Sequence, residues 1–184
     1  MDIRELAVPG AWVVTPRVLR DERGAFAETF KASEFEKATG RPFELCQVNC
    51  STSAAGVLRG IHYTEDPPGQ AKYVTCVRGA FLDVVVDLRP DSPTFGRWDS
   101  VLLDDVDRRS VFLSEGLGHA ILALEDESTV TYLCSLEYSP ELDHELDAFD
   151  PALAIDWPTV GRDGSALTFV RSPKDIAAPR FAPS

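Results

Sequence analysis

The apolar stretches of this chain are short, and that brevity constrains its fold more than any other feature. Turn residues cut them off too soon for most helices and at an interval that suits strands. Candidate strands run over Ala11–Val18, Ala25–Phe30, Phe43–Ser51, Val57–His62, Lys72–Val77, Phe81–Leu88, Trp98–Leu103, Ser110–Leu113, Ala120–Leu124 and Thr129–Cys134. The turn signals between them include Asp21-Glu22-Arg23-Gly24, Asp66-Pro67-Pro68-Gly69, Arg78-Gly79, Arg89-Pro90-Asp91-Ser92-Pro93 and Glu115-Gly116. Only Ala32–Ala38 carries a helical pattern. About ten strands in this rhythm predict an all-β sandwich or barrel. Beyond Tyr138 the pattern weakens into a tail rich in Pro and Asp, expected to pack over the barrel.

A length of 184 residues suits one domain, residues 1–184, and leaves little room for a second. A formal net charge of −12 argues against a nucleic acid or an anionic membrane as partner, because clustered Lys and Arg dominate both kinds of binding. An anionic small molecule is still compatible, since a few inward-facing cations make a local positive pocket. No apolar run reaches the ~20 residues of a membrane-spanning helix. Met1-Asp2-Ile3-Arg4-Glu5 lacks the basic-then-apolar pattern of a secretion signal. Cys46, Cys50, Cys76 and Cys134 form no C-x-x-C pair and read as buried thiols in a reducing cytoplasm.

Strand parity sorts the polar residues. In Phe43–Ser51 one face reads Phe43, Leu45, Gln47, Asn49, Ser51, so an inward Leu45 brings Gln47 and Asn49 inward too. Inward polar groups cost free energy unless satisfied. These two either line a ligand cavity or satisfy loops at the barrel mouth. In Ala25–Phe30, the residues Phe26, Glu28 and Phe30 share a face, which sets a carboxylate between two aromatics. A buried Glu needs a partner, and a ligand donor and a structural Arg fit equally.

The histidines are His62, His119 and His144. The stretch Gly60-Ile61-His62-Tyr63-Thr64, then Gly79, then Ser114-Glu115-Gly116-Leu117-Gly118-His119, resembles the two motifs of the cupin barrel. Metal-binding cupins carry H-x-H in the first motif, and here Thr64 takes the second His position. Two histidines without a third ligand suit Zn or Fe poorly, so neither metal nor cofactor is expected. His62 then reads as an acid–base group, since imidazole titrates near neutral pH. Lys72 and Tyr132 lie on other candidate strands that can face the same cavity. A base, a cation and a phenol around one cavity suit proton abstraction beside a carbonyl. The base takes the proton, the cation steadies the enolate oxygen, and the phenol returns a proton from the other face. Taken singly, a His or Tyr in a strand is more often a packed core residue.

The ordered motifs go further. Asp21-x-Arg23-Gly24-x-Phe26-x-Glu28, Gln47-x-Asn49-x-Ser51, Gly56-Val57-Leu58-Arg59-Gly60-Ile61-His62, Pro67-Pro68-Gly69-Gln70-Ala71-Lys72, Asp83-Val84-Val85-Val86-Asp87-Leu88-Arg89 and Ser92-Pro93-Thr94-Phe95-Gly96 follow one another. They continue through Glu115-Gly116-x-x-His119, Tyr132, Tyr138, Asp150-Pro151, Trp157-Pro158 and Ser172-Pro173-Lys174-Asp175. Together, over nearly the whole chain, they closely resemble the dTDP-4-dehydrorhamnose 3,5-epimerase family. The resemblance implies a metal-free, cupin-type jelly-roll β-barrel with a few short helices, a homodimer, and inversion of C3 and C5 in dTDP-4-dehydro-6-deoxy-D-glucose, a dTDP-4-keto-6-deoxyhexose. By position it makes His62 the base, Asp175 its orienting partner, Tyr132 the acid and Lys72 the enolate stabiliser. It makes Arg23, Arg59 and His119 diphosphate and substrate contacts, with Arg23 supplied across the dimer interface. Phe26, Glu28, Gln47 and Asn49 join the substrate-binding set on the nucleotide side, Tyr138 stacks on the nucleotide, and Asp143 and Lys174 lie near the substrate.

The chain departs from the family in two places. Ser114 stands where Pro is usual, and His119-Ala120-Ile121 stands where His-Gly-Phe is usual. Parity also sets Arg59 and His62 on opposite faces of a regular strand, so both reach one cavity only through a bulge, expected at Gly60. Three other readings fit the same motifs: a C3-only epimerase feeding another deoxysugar pathway, a cupin ketoisomerase, and a non-catalytic sugar-nucleotide-binding barrel.

Overall fold

Antiparallel strands assemble into two sheets in the structure, a computed structural model that describes residues 1–181; positions 182–184 of the expected domain lie outside the described residues. The strands are β1 (Asp2–Glu5), β2 (Ala11–Thr15), β3 (Val18–Asp21), β4 (Gly24–Ala27), β5 (Gln47–Ser53), β6 (Leu58–Thr64), β7 (Lys72–Arg78), β8 (Ala80–Asp87), β9 (Trp98–Asp104), β10 (Ser110–Leu113), β11 (Leu117–Ala123), β12 (Ser128–Cys134) and β13 (Asp143–Glu145). One sheet has the order β1-β2-β10-β7-β12-β5 and the other β13-β6-β11-β8-β9. From β5 onward, consecutive strands alternate between the sheets except at the β8–β9 hairpin, which is the jelly-roll path expected from the motifs. β3 and β4 form a separate hairpin.

Three apolar layers follow from strand parity. Between the sheets lie Val13, Val74, Val111 and Val130 from one side and Phe81, Val85, Val101 and Ile121 from the other. The outer face of the five-stranded sheet presents Leu58, Ile61, Val84, Val86 and Leu122, which the C-terminal segment covers with Ala148, Leu153 and Trp157. The outer face of the six-stranded sheet presents Val14, Tyr73 and Phe112 to helix α1 (Ala32–Thr39), which buries Phe35 against them. Helix α1 stops at Gly40, whose positive φ of 74° lets its amide return to the Glu36 carbonyl. Each fully buried aliphatic or aromatic side chain contributes about 1.5–3 kcal/mol. A strand sandwiched in this way reads as a continuous apolar run, as β8 does. Among the described residues no helix is long and apolar enough to cross a membrane.

Several local expectations need correction. Ala11–Val18 is two strands, because Pro16 breaks the ladder between β2 and β3. The N-terminal β1 is polar and mostly exposed, so apolar periodicity does not reveal it. β5 starts at Gln47, leaving Leu45 54 % exposed before it, yet Gln47, Asn49 and Ser51 still turn inward. Glu28 is exposed and Phe26 is 63 % exposed, so no carboxylate sits buried between aromatics. Cys76 and Cys134 are buried, but Cys50 is exposed because β5 is a sheet edge with an uncovered outer face, and Cys46, just before β5, is exposed too.

Candidate active site

The interior between the sheets is apolar at one end and polar at the other. At the polar end a cavity of about 170 Å³ is lined by Arg59, His62, His119 and Ile121 from the five-stranded sheet. Ser51, Lys72, Val74, Val130 and Tyr132 close it from the six-stranded sheet. His62, Lys72 and Tyr132 also border an outer recess of about 300 Å³ with Gln47, Asn49, Gln70, Tyr138 and Asp143. The base and phenol expected from the sequence therefore stand on facing sheets, with the cation on the phenol's side.

The parity conflict on β6 resolves at Gly60. The pairing of β6 with β11 runs His62 to His119 and then Arg59 to Ile121, a one-residue slip. Gly60 takes a φ of 104°, which a side chain rarely adopts, and a Cβ there would run into the His119 carbonyl oxygen. Leu58 and Ile61 accordingly pack outward while Arg59 and His62 both reach the cavity.

His62 is held from behind. Its Nε2 lies 2.7 Å from Asp175 Oδ1, and Asp175 is 4 % exposed. Asp175 sits in the short helix α2 (Pro173–Ile176), and its backbone amide donates to the N-cap residue Ser172. The Ser172 hydroxyl donates to Asp175 Oδ2 at 2.7 Å. Burial alone would raise the Asp175 pKa, but bonds from His62, Ser172 and the Gly60 amide outweigh it and bring it down to about 2. A carboxylate only accepts, so a neutral His62 donates through Nε2 and Nδ1 is left to take a proton.

His119 has a matching arrangement. Its Nε2 lies 2.7 Å from Oδ2 of Asp83, which is fully buried, and the other Asp83 oxygen has no hydrogen-bond partner among the described residues. Burial pulls the Lys72 ammonium below the ordinary lysine value, with Cys134 and Asp143 opposing the shift. Burial likewise raises the Tyr132 phenol, assisted by Cys134, so the phenol keeps its proton at neutral pH. Arg59 is braced by Nε donating to Ser53 Oγ at 3.1 Å and by a bond to the Thr52 carbonyl. At the mouth, Gln47 donates to Asn49 at 2.9 Å and accepts from the Tyr138 amide, while the Tyr138 ring is 57 % exposed. Lys174 bridges Asp143, at 3.3 Å, and Glu145.

Three expected site residues stand apart from these. Arg23 and Phe26 belong to the β3–β4 hairpin, Glu28 directly follows it, and none of the three lines the cavity or its recess. Arg23 is exposed and, among the described residues, paired only with Asp21. The departures near His119 also find places: Ile121 forms cavity wall, while Ala120 faces outward under the C-terminal segment. Ser114 is buried against Gly10. Asp83, Ser172 and Glu145 carry polar contacts here without having been assigned a role. Asp83 was legible, since it shares an inward face with Phe81 and Val85. His144 stacks beside Tyr63 with a ring separation of 5.4 Å and lines neither cavity nor recess. Among the described residues no three His, Cys, Asp or Glu side chains group closely enough to hold a metal ion.

The sequence profile of the dTDP-4-dehydrorhamnose 3,5-epimerase family matches residues 5–183. A dTDP-4-dehydrorhamnose 3,5-epimerase of Mycobacterium tuberculosis is 57% identical over 181 residues, which cover 98% of this chain and 88% of that protein. A solved structure of the Mycobacterium tuberculosis rmlC epimerase superposes with a TM-score of 0.91 at 57% identity, over 98% of this chain and 88% of its own. ChmJ, a 3'-monoepimerase from Streptomyces bikiniensis solved in complex with dTDP-quinovose, gives a TM-score of 0.88 at 47% identity, over 95% of this chain and 85% of its own.

Proposed function

The chain belongs to the dTDP-4-dehydrorhamnose 3,5-epimerase family, and on that premise we propose that it inverts C3 and C5 of dTDP-4-dehydro-6-deoxy-D-glucose to give dTDP-4-dehydro-L-rhamnose. One observation carries the chemistry: His62 and Tyr132 face each other across one cavity from opposite sheets, with Lys72 beside Tyr132. His62 takes the proton from the carbon beside the ketone, and the electron pair moves onto the C4 oxygen as an enolate. Lys72 steadies that oxygen, and Tyr132 returns a proton to the opposite side of the ring. Asp175 orients His62 and stabilises the imidazolium that forms. Delivery from the opposite side is what inverts the centre; His62 then gives its proton up to solvent and Tyr132 takes one back, and the same sequence repeats at the second carbon.

The inner cavity is sized for a sugar ring rather than a whole nucleotide sugar, so the remainder lies in the recess and beyond. Arg59 and His119 receive the sugar and diphosphate. Gln47, Asn49 and Tyr138 hold the nucleotide, with Asp143 and Lys174 at the rim near the substrate. Arg23, Phe26 and Glu28 act from the hairpin of a partner subunit in a homodimer. The exposure of these side chains supports that reading, since none of them lines the cavity of its own chain. We read the chain as a single epimerase domain that works in the cytoplasm, in keeping with its free thiols.

Turnover of the 4-keto nucleotide sugar in deuterated water, followed by proton NMR, tests the proposal. Solvent deuterium is expected at both C3 and C5. Deuterium at C3 alone would make the enzyme a 3-epimerase, as ChmJ is described. Migration of the carbonyl would make it a ketoisomerase, and tight binding without exchange would make it a binding barrel.

A further inference from the structure

The geometry points to Glu145 and Lys174 as a matched charge pair that sets the proton occupancy of His62, a positioning role that rests on the base assignment above. Along the five-stranded sheet, Glu145 is the cross-strand partner of His62 on one side and His119 is its partner on the other. Directly opposed residues of an antiparallel pair share a face with Cβ atoms about 5 Å apart, so the Glu145 side chain starts beside the imidazole. That side chain is 16% exposed, and the Lys174 ammonium rests on its carboxylate and 3.3 Å from Asp143 Oδ2. Lys174 immediately precedes Asp175, so one turn of α2 brings both the carboxylate that orients His62 and the cation that neutralises its neighbours.

The charges around His62 show why the cation matters. From β13 come Asp143 and Glu145, and from α2 come Asp175 and Lys174. Arg59 faces the cavity from β6 itself, His119 from β11 with Asp83 behind it, Lys72 from β7 and Tyr132 from β12. A base must be free of its proton to accept one, and each nearby carboxylate favours the imidazolium. Asp175 has an orienting task that requires its charge. Glu145 has no hydrogen bond to Asp175 or Ser172, so its charge only helps to hold a proton on His62. Lys174 cancels that effect and leaves Asp175 to orient a neutral imidazole. A single charge on the neighbouring strand of a partly solvated site moves a titration by about half a pH unit.

Two readouts test this: an NMR titration of the imidazole nitrogens, with His62 assigned from the spectrum of His62→Asn, and the acid limb of the kcat/KM profile. In Lys174→Gln both should move up by about half a pH unit, and in Glu145→Gln both should move down by a similar amount. Lys174→Gln/Glu145→Gln should return to within about 0.2 of the unmodified protein, and Lys174→Arg should stay with it. A merely structural Lys174 predicts the reverse for Lys174→Gln, because a loosened α2 withdraws the Asp175 carboxylate and lowers the midpoint. An unmoved or lowered Lys174→Gln titration, an unmoved Glu145→Gln, or a double variant that keeps the single shift overturns the inference. The NMR titration needs no turnover. An inactive protein with the opposed shifts would sink the epimerase reading alone, and an active one without them would sink the charge pair alone.

Discussion

Replacing Asp175 by Asn tests the hold on His62 most directly, because it keeps the shape and removes the charge. The carboxyl group stands near 2 rather than its ordinary 3.8, close to two units of preference for the ionised form. At 1.36 kcal/mol per unit this is about 2 kcal/mol, drawn from the bonds of His62, Ser172 and the Gly60 amide against the cost of burial. Transferred to an imidazolium forming in the transition state, about 2 kcal/mol is roughly a 30-fold loss of rate. The amide adds a second injury. It can donate to Nε2, which favours the tautomer with the proton on Nδ1 and removes the lone pair that accepts from substrate. Asp175→Asn should therefore lower kcat by at least about 30-fold with little change in KM, read as deuterium incorporation at C3 of the 4-keto nucleotide sugar. The same group gives a stability signature. Its folded pKa is depressed, so its contribution is present above the unfolded value of 3.8 and is lost as pH falls toward 2. Urea denaturation should show the gap between parent and variant closing by about 2 kcal/mol between pH 6 and pH 2. A kcat within threefold of the parent, or a gap that does not change with pH, would refute the reasoning.

Three further outcomes are expected. Tyr132→Phe should retain exchange of the C3 proton with solvent but slow formation of inverted product by about 100-fold or more, since the base survives and the opposing acid does not. Gly60→Ala should cost at least about 2 kcal/mol in urea denaturation and strip most activity, because its φ of 104° and the His119 carbonyl both reject a Cβ. Mixing Arg23→Ala with His62→Ala should restore up to about a quarter of parental turnover if the hairpin serves the partner's site, because mixed dimers then gather both lesions in one site and leave the other whole. No recovery, with subunit exchange verified, would return Arg23 to its own chain.

The sequence disclosed what depends on local pattern. Strands covered on both faces, such as Ala80–Asp87, carry unbroken apolar runs, and helix α1 has its periodicity and a glycine stop. Parity was enough to turn Gln47 and Asn49 inward, although the anchor chosen for it, Leu45, lies outside the strand. It also demanded a bulge near Gly60, where the ladder does slip. Contacts between remote segments left no such trace. Asp175 meets His62 across 113 residues of sequence, and only the ordered family motifs named it. Glu28 was misplaced because burial was assumed from two flanking aromatics, whereas it follows a separate two-stranded hairpin and is exposed. Lys174 reaches Glu145 only because α2 comes down beside β13, a tertiary fact that neither segment encodes alone.

The slip at Gly60 has a consequence for anyone rebuilding this barrel. An idealised backbone of uniform pleat would accept nearly every residue of β6, bury the same apolar layers and pass as a faithful copy. It would also rotate either Arg59 or His62 to the outer surface, beneath the C-terminal cover, where a cation or an imidazole has no business. The shared placement of Arg59 and His62 in one cavity hangs on a misregistration, so grafting the proposed site onto another jelly roll means transplanting the irregularity along with the side chains.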